Sequence, residues 1–257
     1  MILNTRRVAR ACSRLGRWLR LGWLPLAIAV TTALLGSCSL VASIWDRSGK
    51  VQHGCARLWA RVILALSGVR VERRGWSIQG SGPFVFVANH QSLYDIPILL
   101  VTLPLQLRIL AKEELFRIPI MGWAMRRAGY LPISRQRAAG ASILRRAGQL
   151  MDGGVSVIFF PEGGRNLGSL RPFKAGGFLL AQRAGVAVVP VSILGARRIL
   201  PFGAFEVRSG NVEVIVDPPL EPSELRGRSA ADQLRRAAET LIRRRHAEAF
   251  PSGEAID

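Results

Sequence analysis

Phe84-Val85-Phe86-Val87-Ala88-Asn89-His90-Gln91-Ser92-Leu93-Tyr94-Asp95 is the stretch whose reading decides the fold, because a polar cluster sits in it between two apolar runs, the second being Ile96 to Val101. Phe84 to Ala88 is short, β-branched and aromatic, and Ser81-Gly82-Pro83 bounds it, so it reads as a buried strand of a parallel sheet. His90 then falls just past the carboxyl end of that strand, where open α/β sheets bind ligands. On one continuous helix, five residues turn through about 500°, leaving His90 and Asp95 roughly 140° apart. They meet only if His90 lies in the turn before a helix, with Ser92 as N-cap and Asp95 in the first turn. A carboxylate on one imidazole nitrogen fixes the tautomer and leaves the other nitrogen as a base, which makes a His-Asp dyad able to deprotonate a hydroxyl. The same spacing also fits a plain helix N-terminus in which Asp95 favours the dipole.

The remaining composition narrows the partners. The chain has 257 residues, 49% of them hydrophobic, and 36 basic against 17 acidic side chains, for a formal charge of +19. That length buries a substantial core in one large or two modest domains, and that charge calls for a polyanionic partner, either nucleic acid or an anionic membrane surface with phosphorylated substrates. Single-stranded nucleic acid needs exposed aromatics among the arginines, yet there are two Tyr and most Phe lie in apolar runs, so the membrane surface is expected and nucleic acid is not. Cys12, Cys38 and Cys55 show neither C-x-x-C pairing nor a His at ligand spacing, so no disulfide framework or metal site is expected. Of the three His, His53 and His246 lie in Arg-rich helical surroundings and read as solvated, which leaves His90 as the candidate base.

Two segments divide the chain at residues 1–68 and 69–257. Arg6, Arg7, Arg10, Arg14, Arg17 and Arg20 precede Leu21 to Trp45, 25 residues without a charge. As a helix this run is about 37 Å long, enough to cross a hydrocarbon core, and Trp18, Trp23 and Trp45 lie near its ends like interfacial anchors. A weak lipoprotein-like box, Leu35 to Cys38, is outweighed by the long basic and apolar stretches, so the segment is expected to stay uncleaved. Leu58 to Val69 is too short to span and reads as an interfacial amphipathic helix. Basic residues flank the first segment on both sides, and a re-entrant hairpin with both ends at the cytoplasmic face satisfies that pattern.

From residue 69 short strands alternate with helical segments, which implies an α/β fold with a mainly parallel sheet flanked by helices. Strands are expected at Val69–Arg73, Phe84–Ala88, Leu107–Ala111, Tyr130–Ile133, Val155–Phe160 and Val186–Ile193, with Asn211–Val216 at an edge. Ser229–Ala249 closes the chain as an Arg-rich helix whose charges read as a solvated face. Phe160-Pro161-Glu162-Gly163-Gly164-Arg165-Asn166 again places polar residues after an apolar strand, either as a simple β-turn or as a strand end bringing Glu162 and Arg165 toward His90. Lys112 and Arg135 also follow strand-like runs, where cations can converge on a phosphate. Lysine occurs only at Lys50, Lys112 and Lys174, so two of the three fall in or beside these stretches.

Together these stretches resemble the 1-acyl-glycerol-3-phosphate acyltransferase family. Asn89-His90 to Asp95 matches its NHx4D block, and AKEELFRIPIMGWAMRRAGYLPISR, Ala111 to Arg135, is similar to the second block at Ile118-Pro119, Gly122, Gly129 and Arg135. FPEGGRN, Phe160 to Asn166, looks like the third, Val188 to Val191 like the fourth, and FKAGGF, Phe173 to Phe178, lies between them. The match covers about residues 57–195 in order, departing at Gly164 and Asn166, where the family usually has Thr and Ser.

With the membrane-associated helical hairpin read from the N-terminal charge pattern ahead of it, the acyltransferase sheet that the resemblance implies is expected to belong to a membrane enzyme whose active site faces the cytoplasm. His90, held by Asp95, would be general base on the free hydroxyl of a lysophospholipid, which attacks an acyl-CoA or acyl carrier protein thioester. Lys112, Arg135 and Arg165 would hold the acceptor's phosphate, Glu162 would shape the pocket or order Arg165, and Gly163 with Gly164 would approach the head group or oxyanion. No metal or other cofactor is implied; the thioester is a co-substrate, and acyl carrier protein is one form of donor. Glycerol-3-phosphate or a lyso-aminolipid as acceptor, and a non-catalytic basic protein holding anionic lipid, are the alternative readings.

Overall fold

The structure is a computed structural model that describes residues 2–79, 82–133, 137–165, 169–222 and 230–250, with side chains from residue 22 onward except 137–141. Strands β1 (Val69–Gly75), β2 (Val85–Ala88), β3 (Leu107–Lys112), β4 (Leu131–Ile133), β5 (Ser156–Phe159), β6 (Val188–Leu194) and β7 (Gly210–Val216) form one sheet in the order β1-β7-β6-β2-β5-β3-β4. The helices are α1 (Ile2–Ala42), α2 (Lys50–Ser67), α3 (Asp95–Thr102), α4 (Met121–Arg127), α5 (Arg137–Asp152), α6 (Gly176–Ala184), α7 (Ala196–Ile199) and α8 (Ala230–Ala249), with a 3-10 turn at Glu113–Arg117. Every neighbouring pair is parallel except β6 with β7, so the expected mainly parallel α/β sheet is present.

The strand quoted above lies at the centre, and its lack of polar residues follows from being covered on both faces. Val85 and Val87 point toward Phe178 of α6 and Leu234 of α8, while Phe86 and Ala88 point toward Ile63 of α2 and Ile98 of α3. All four strand residues are fully buried. Burying a side chain the size of Phe86 stabilises the fold by about 1.5–3 kcal/mol.

Two expectations change. Asn211–Val216 was expected at an edge, but β7 lies between β1 and β6, and β1 takes the edge. The charged run Arg70, Glu72, Arg73, Arg74 explains this, since charges protect an unpaired strand edge. Leu58–Val69 was expected at a membrane interface. It belongs instead to α2 and β1, and Ala60, Ile63 and Leu64 pack into the core while Val51 and Leu58 remain exposed. The closing helix keeps the expected solvated charges on its outer face, where Arg235 and Arg243 pair with Glu239, while Leu234, Ala238 and Ile242 are fully buried on the other. Ser229, its expected first residue, lies outside the described residues.

The α1–α2 hairpin is fastened to the sheet from below. Arg108 of β3 is buried, and its guanidinium donates to the carbonyls of Leu107 at 2.9 Å and Gly49 at 3.2 Å, the latter in the hairpin turn. Gly49 has φ 72, and a Cβ there would stand 2.2 Å from Arg108 Nη2. Higher up, Trp59 Nε1 of α2 donates to Thr32 Oγ1 of α1 at 2.9 Å.

Helix-to-sheet closeness is tightest at Gly177, where a Cβ would lie 2.4 Å from Phe159 Cδ1, whereas one at Gly148 of α5 would meet nothing within 4 Å. Helix propensity alone favours alanine at both positions. Gly177→Ala is therefore expected to destabilise by roughly 1–3 kcal/mol through overpacking, and Gly148→Ala to be neutral or stabilising by up to about 1 kcal/mol. Urea denaturation of the two variants checks this, and equal responses would remove the packing account.

Candidate active site

The strand β2 ends at Ala88, and the chain then turns sharply before α3 because three side-chain anchors hold the turn. Asn89, fully buried, bridges to the neighbouring strand: its Nδ2 donates to Ile193 O at 2.9 Å and its Oδ1 accepts from Ile193 N at 2.7 Å. Ser92 Oγ donates to Leu200 O at 2.9 Å. Asp95, also fully buried, turns its carboxylate back over the turn, where Oδ2 accepts from Gln91 N at 2.8 Å and Ser92 N at 2.9 Å. The same Oδ2 lies 2.8 Å from His90 Nδ1.

His90 and Asp95 thus meet as the spacing predicts, with Asp95 the first residue of α3. Ser92 is not the N-cap. Tyr94 holds that position, and Ser92 Oγ accepts the Tyr94 N–H at 3.2 Å, because Asp95 itself supplies the acceptor for the turn's amides. The His90 ring stacks on Phe160 with centroids 4.2 Å and planes 24° apart. With Nδ1 committed to Asp95, Nε2 is the nitrogen left for chemistry, on a side chain 16% exposed.

Glu162, at the end of β5, is buried and holds the backbone of the dyad. Its Oε1 accepts the His90 N–H at 2.8 Å and its Oε2 accepts the Arg171 N–H at 3.1 Å. The sequence suggests that Glu162 shapes the pocket or orders Arg165; its carboxylate accepts from the backbone amides of His90 and Arg171. Gly163 has φ 73, and its N–H donates to Phe160 O at 3.1 Å, so that amide closes the turn and Gly164 is the remaining candidate donor of the pair. Arg165 lays its guanidinium 4.8 Å from the Phe202 ring centroid. Burial pulls its pKa below the ordinary arginine value, and the charge of Asp95 opposes that shift, so Arg165 stands within electrostatic reach of the dyad.

Lys112 ends β3 and is exposed on the same edge, but β5 separates it from β2, a span of roughly 10 Å at ordinary strand spacing. Arg135 and Asn166 lie outside the described residues. Among the described residues no group of three or more His, Cys, Asp or Glu is placed to hold a metal ion. His53 and His246 are not solvated as their Arg-rich neighbourhoods suggested. His53 faces the core side of α2 and is buried, and burial pushes the half-buried His246 down to about 4. Asn89 and Phe160 were missed as positioning residues, since their partners on β6 and in the His90 ring are set by sheet order and not by spacing.

Beside the dyad opens an apolar cavity of about 440 Å³. Leu93, Tyr94 and Leu200 line it near the His90 turn, and Ile28, Leu35 and Trp59 line it from α1 and α2.

A family model described as Acyltransferase matches residues 69–194, the stretch from β1 to β6 that carries the His90 turn, and this places the chain in a class of acyl-group transferases. The chain is 38% identical over 179 residues to a chloroplastic 1-acyl-sn-glycerol-3-phosphate acyltransferase of Arabidopsis thaliana, covering 68% of this chain and 50% of that one. It is 36% identical over 196 residues to 1-acyl-sn-glycerol-3-phosphate acyltransferase alpha of Homo sapiens, covering 73% of this chain and 69% of that one. The crystal structure of the 1-acyl-sn-glycerophosphate (LPA) acyltransferase PlsC from Thermotoga maritima superposes with a TM-score of 0.77 at 27% identity, over 91% of this chain and 96% of that one. The chain belongs to the 1-acyl-sn-glycerol-3-phosphate acyltransferase family. It spans about half the length of the plant relatives it matches.

Asn89→Leu keeps the volume and leaves the buried N–H and C=O of Ile193 unpaired. Each orphaned group costs about 1–3 kcal/mol, so urea denaturation should register a loss of roughly 2–4 kcal/mol. A loss near zero would mean that Asn89 does not hold the turn.

Proposed function

We propose that this protein transfers a fatty acyl group from an acyl thioester to the free hydroxyl of 1-acyl-glycerol-3-phosphate, giving phosphatidic acid, with His90 and Asp95 as the base. The observation that carries this reading is the 2.8 Å contact between His90 Nδ1 and Asp95 Oδ2 at the strand end, with Nε2 left free. The acceptor hydroxyl gives its proton to Nε2 as its oxygen attacks the thioester carbonyl carbon, and Asp95 supports the imidazolium that results. The tetrahedral intermediate then collapses, the C–S bond breaks, and the imidazolium returns the proton to the departing thiolate. Gly164 N–H is the backbone donor for the oxyanion. Arg165, with Lys112 and Arg135, holds the acceptor's phosphate, and the cavity takes an acyl chain. The acyl-CoA or acyl carrier protein thioester is the co-substrate, and no other cofactor belongs to this scheme.

Residues 1–68 are the membrane-associated part in this reading and 69–257 the acyltransferase domain, with the active site at the cytoplasmic face. Among the described residues one helical stretch, Gly22–Ala42, is long and apolar enough to cross a membrane. Leu26, Leu34 and Trp45 are 66%, 62% and 75% exposed, a degree that water does not favour for so many neighbouring apolar groups. The amphiphilic acceptor and its product reside at the same surface.

His90→Ala is expected to abolish acceptor-dependent thiol release in folded protein, and Asp95→Asn to reduce it severely. Near wild-type turnover in His90→Ala would sink the mechanism. Arg165→Ala should lower kcat/KM for the phosphate-bearing acceptor by roughly ten- to a hundredfold, as loss of a charge-assisted hydrogen bond does. Arg243→Ala, whose partner is Glu239 on the outer face of α8, is the silent control. For topology, cysteines introduced at Arg10 and Lys50 in a background lacking the native thiols should both label from the cytoplasmic side. Labelling from opposite sides would replace the re-entrant hairpin by a span.

A further inference from the structure

The FKAGGF stretch, Phe173 to Phe178, is a segment of the sequence pattern that the proposed mechanism does not use. Packing accounts for most of it. Phe173 and Phe178 are buried in the core cluster beneath α6, and Gly177 lets α6 approach Phe159. Packing does not account for Lys174, which is exposed.

Two hydrogen bonds pin this segment to the end of β5. Lys174 N donates to Pro161 O at 2.9 Å and Arg171 N donates to Glu162 Oε2 at 3.1 Å. The Lys174 side chain then lies across Gly163, so closely that a Cβ on that residue would stand 2.3 Å from Nζ. Gly163 is next in sequence to Glu162, whose other oxygen holds the His90 N–H. Lys174 makes no ion pair among the described residues, although Asp and Glu side chains elsewhere take up many of the surface arginines. The left-handed glycine at position 163 therefore does two things: it closes the turn, and its missing side chain gives the ammonium a seat at the edge of the site.

The placement is complementary to that of Arg165. Arg165 leans on Phe202, in the loop that follows Leu200, and Leu200 lines the cavity and packs in the cluster covered by α2 and α3. Lys174 arrives from the other side, at the start of α6. An acyl transfer of this kind brings two phosphate-bearing molecules to one histidine, since the acceptor carries a phosphomonoester and the donor a phosphopantetheine phosphate. One cation on each side of the dyad matches that requirement.

We propose that Lys174 is a further substrate-binding residue, whose ammonium, seated over Gly163, takes a phosphate oxygen of one of the two substrates. This rests on the acyl-transfer reading for which substrates are involved. The test measures KM for 1-oleoyl-glycerol-3-phosphate and for oleoyl-CoA separately in the full-length enzyme, comparing Lys174→Met, Lys174→Arg and the distant control Lys50→Met. In parallel, calorimetry measures binding of 1-oleoyl-glycerol-3-phosphate and of CoA to His90→Ala protein in detergent micelles, with and without Lys174→Met, so no turnover is needed.

Lys174→Met should raise one KM and the matching Kd about tenfold, with kcat within about twofold, and Lys174→Arg should recover most of the loss. A rise on the acceptor arm assigns the lipid's phosphate, and a rise on the donor arm assigns the phosphopantetheine phosphate. Both KM values and both Kd values unchanged would overturn the proposal, and so would a loss that arginine fails to recover while Tm falls, which marks a packing effect. If wild-type protein released no thiol, the acyl-transfer reading would fail by itself, and the two binding arms would still decide for or against Lys174.

Discussion

A single carboxylate oxygen organises the active edge. Asp95 Oδ2 accepts from the Gln91 and Ser92 amides and faces His90 Nδ1, all within 2.9 Å, on a side chain with no solvent exposure. A buried carboxylate is strongly disfavoured unless it is hydrogen-bonded and paired. Here the partners come from the five residues that precede it, so burial of the charge forces the chain into the tight turn that carries the histidine. The energetic requirement of Asp95 and the geometry of His90 are one constraint. The ring's tautomer follows, because a carboxylate at Nδ1 holds the proton there and exposes Nε2.

Neighbouring strands fix the turn in space. Asn89 ties it to β6, Glu162 ties its first amide to β5, and Ser92 ties it to the segment after α7. β2 lies between β5 and β6, so each tether spans one strand spacing at most. A parallel order with β2 inside is what allows two different strand ends to grip the same histidine. Glu162 holds His90 through its backbone amide.

Much of this was legible in the residues themselves. The alternation of short apolar runs with amphipathic stretches gave the α/β class, and His90 with Asp95 followed from asking where five residues can bring two side chains together. What sequence spacing could not supply is neighbourhood across the sheet. That Asn89 would bond Ile193, more than a hundred positions away, depends on β6 lying beside β2. The edge position given to Asn211–Val216 failed for the same reason, since chain order does not set strand order. His53 and His246 were misread because local arginines suggested solvent, whereas the burial of each is decided by the helix face that packing selects.

In the proposed reading, one helix meets a membrane requirement and a catalytic one. On α1, Ile28, Thr32, Leu35 and Ser39 recur at helical spacing and line the cavity beside the dyad. Leu26, Val30, Leu34 and Val41 recur on another face and remain exposed. One face therefore forms the wall of the compartment proposed for the acyl chain, while the other is apolar where a soluble helix would be charged. Arg108 and the Gly49 turn fix the lower end of that wall to β3, and Ile120, held at φ 62, packs on Gly36, where a Cβ would lie 2.8 Å away. A β-branched residue in that backbone region is strained, and surrounding structure must hold it there. The strain is placed where α1 meets the catalytic sheet's own covering helices, so the cavity wall is positioned by the same contacts that would orient the active edge toward a lipid surface.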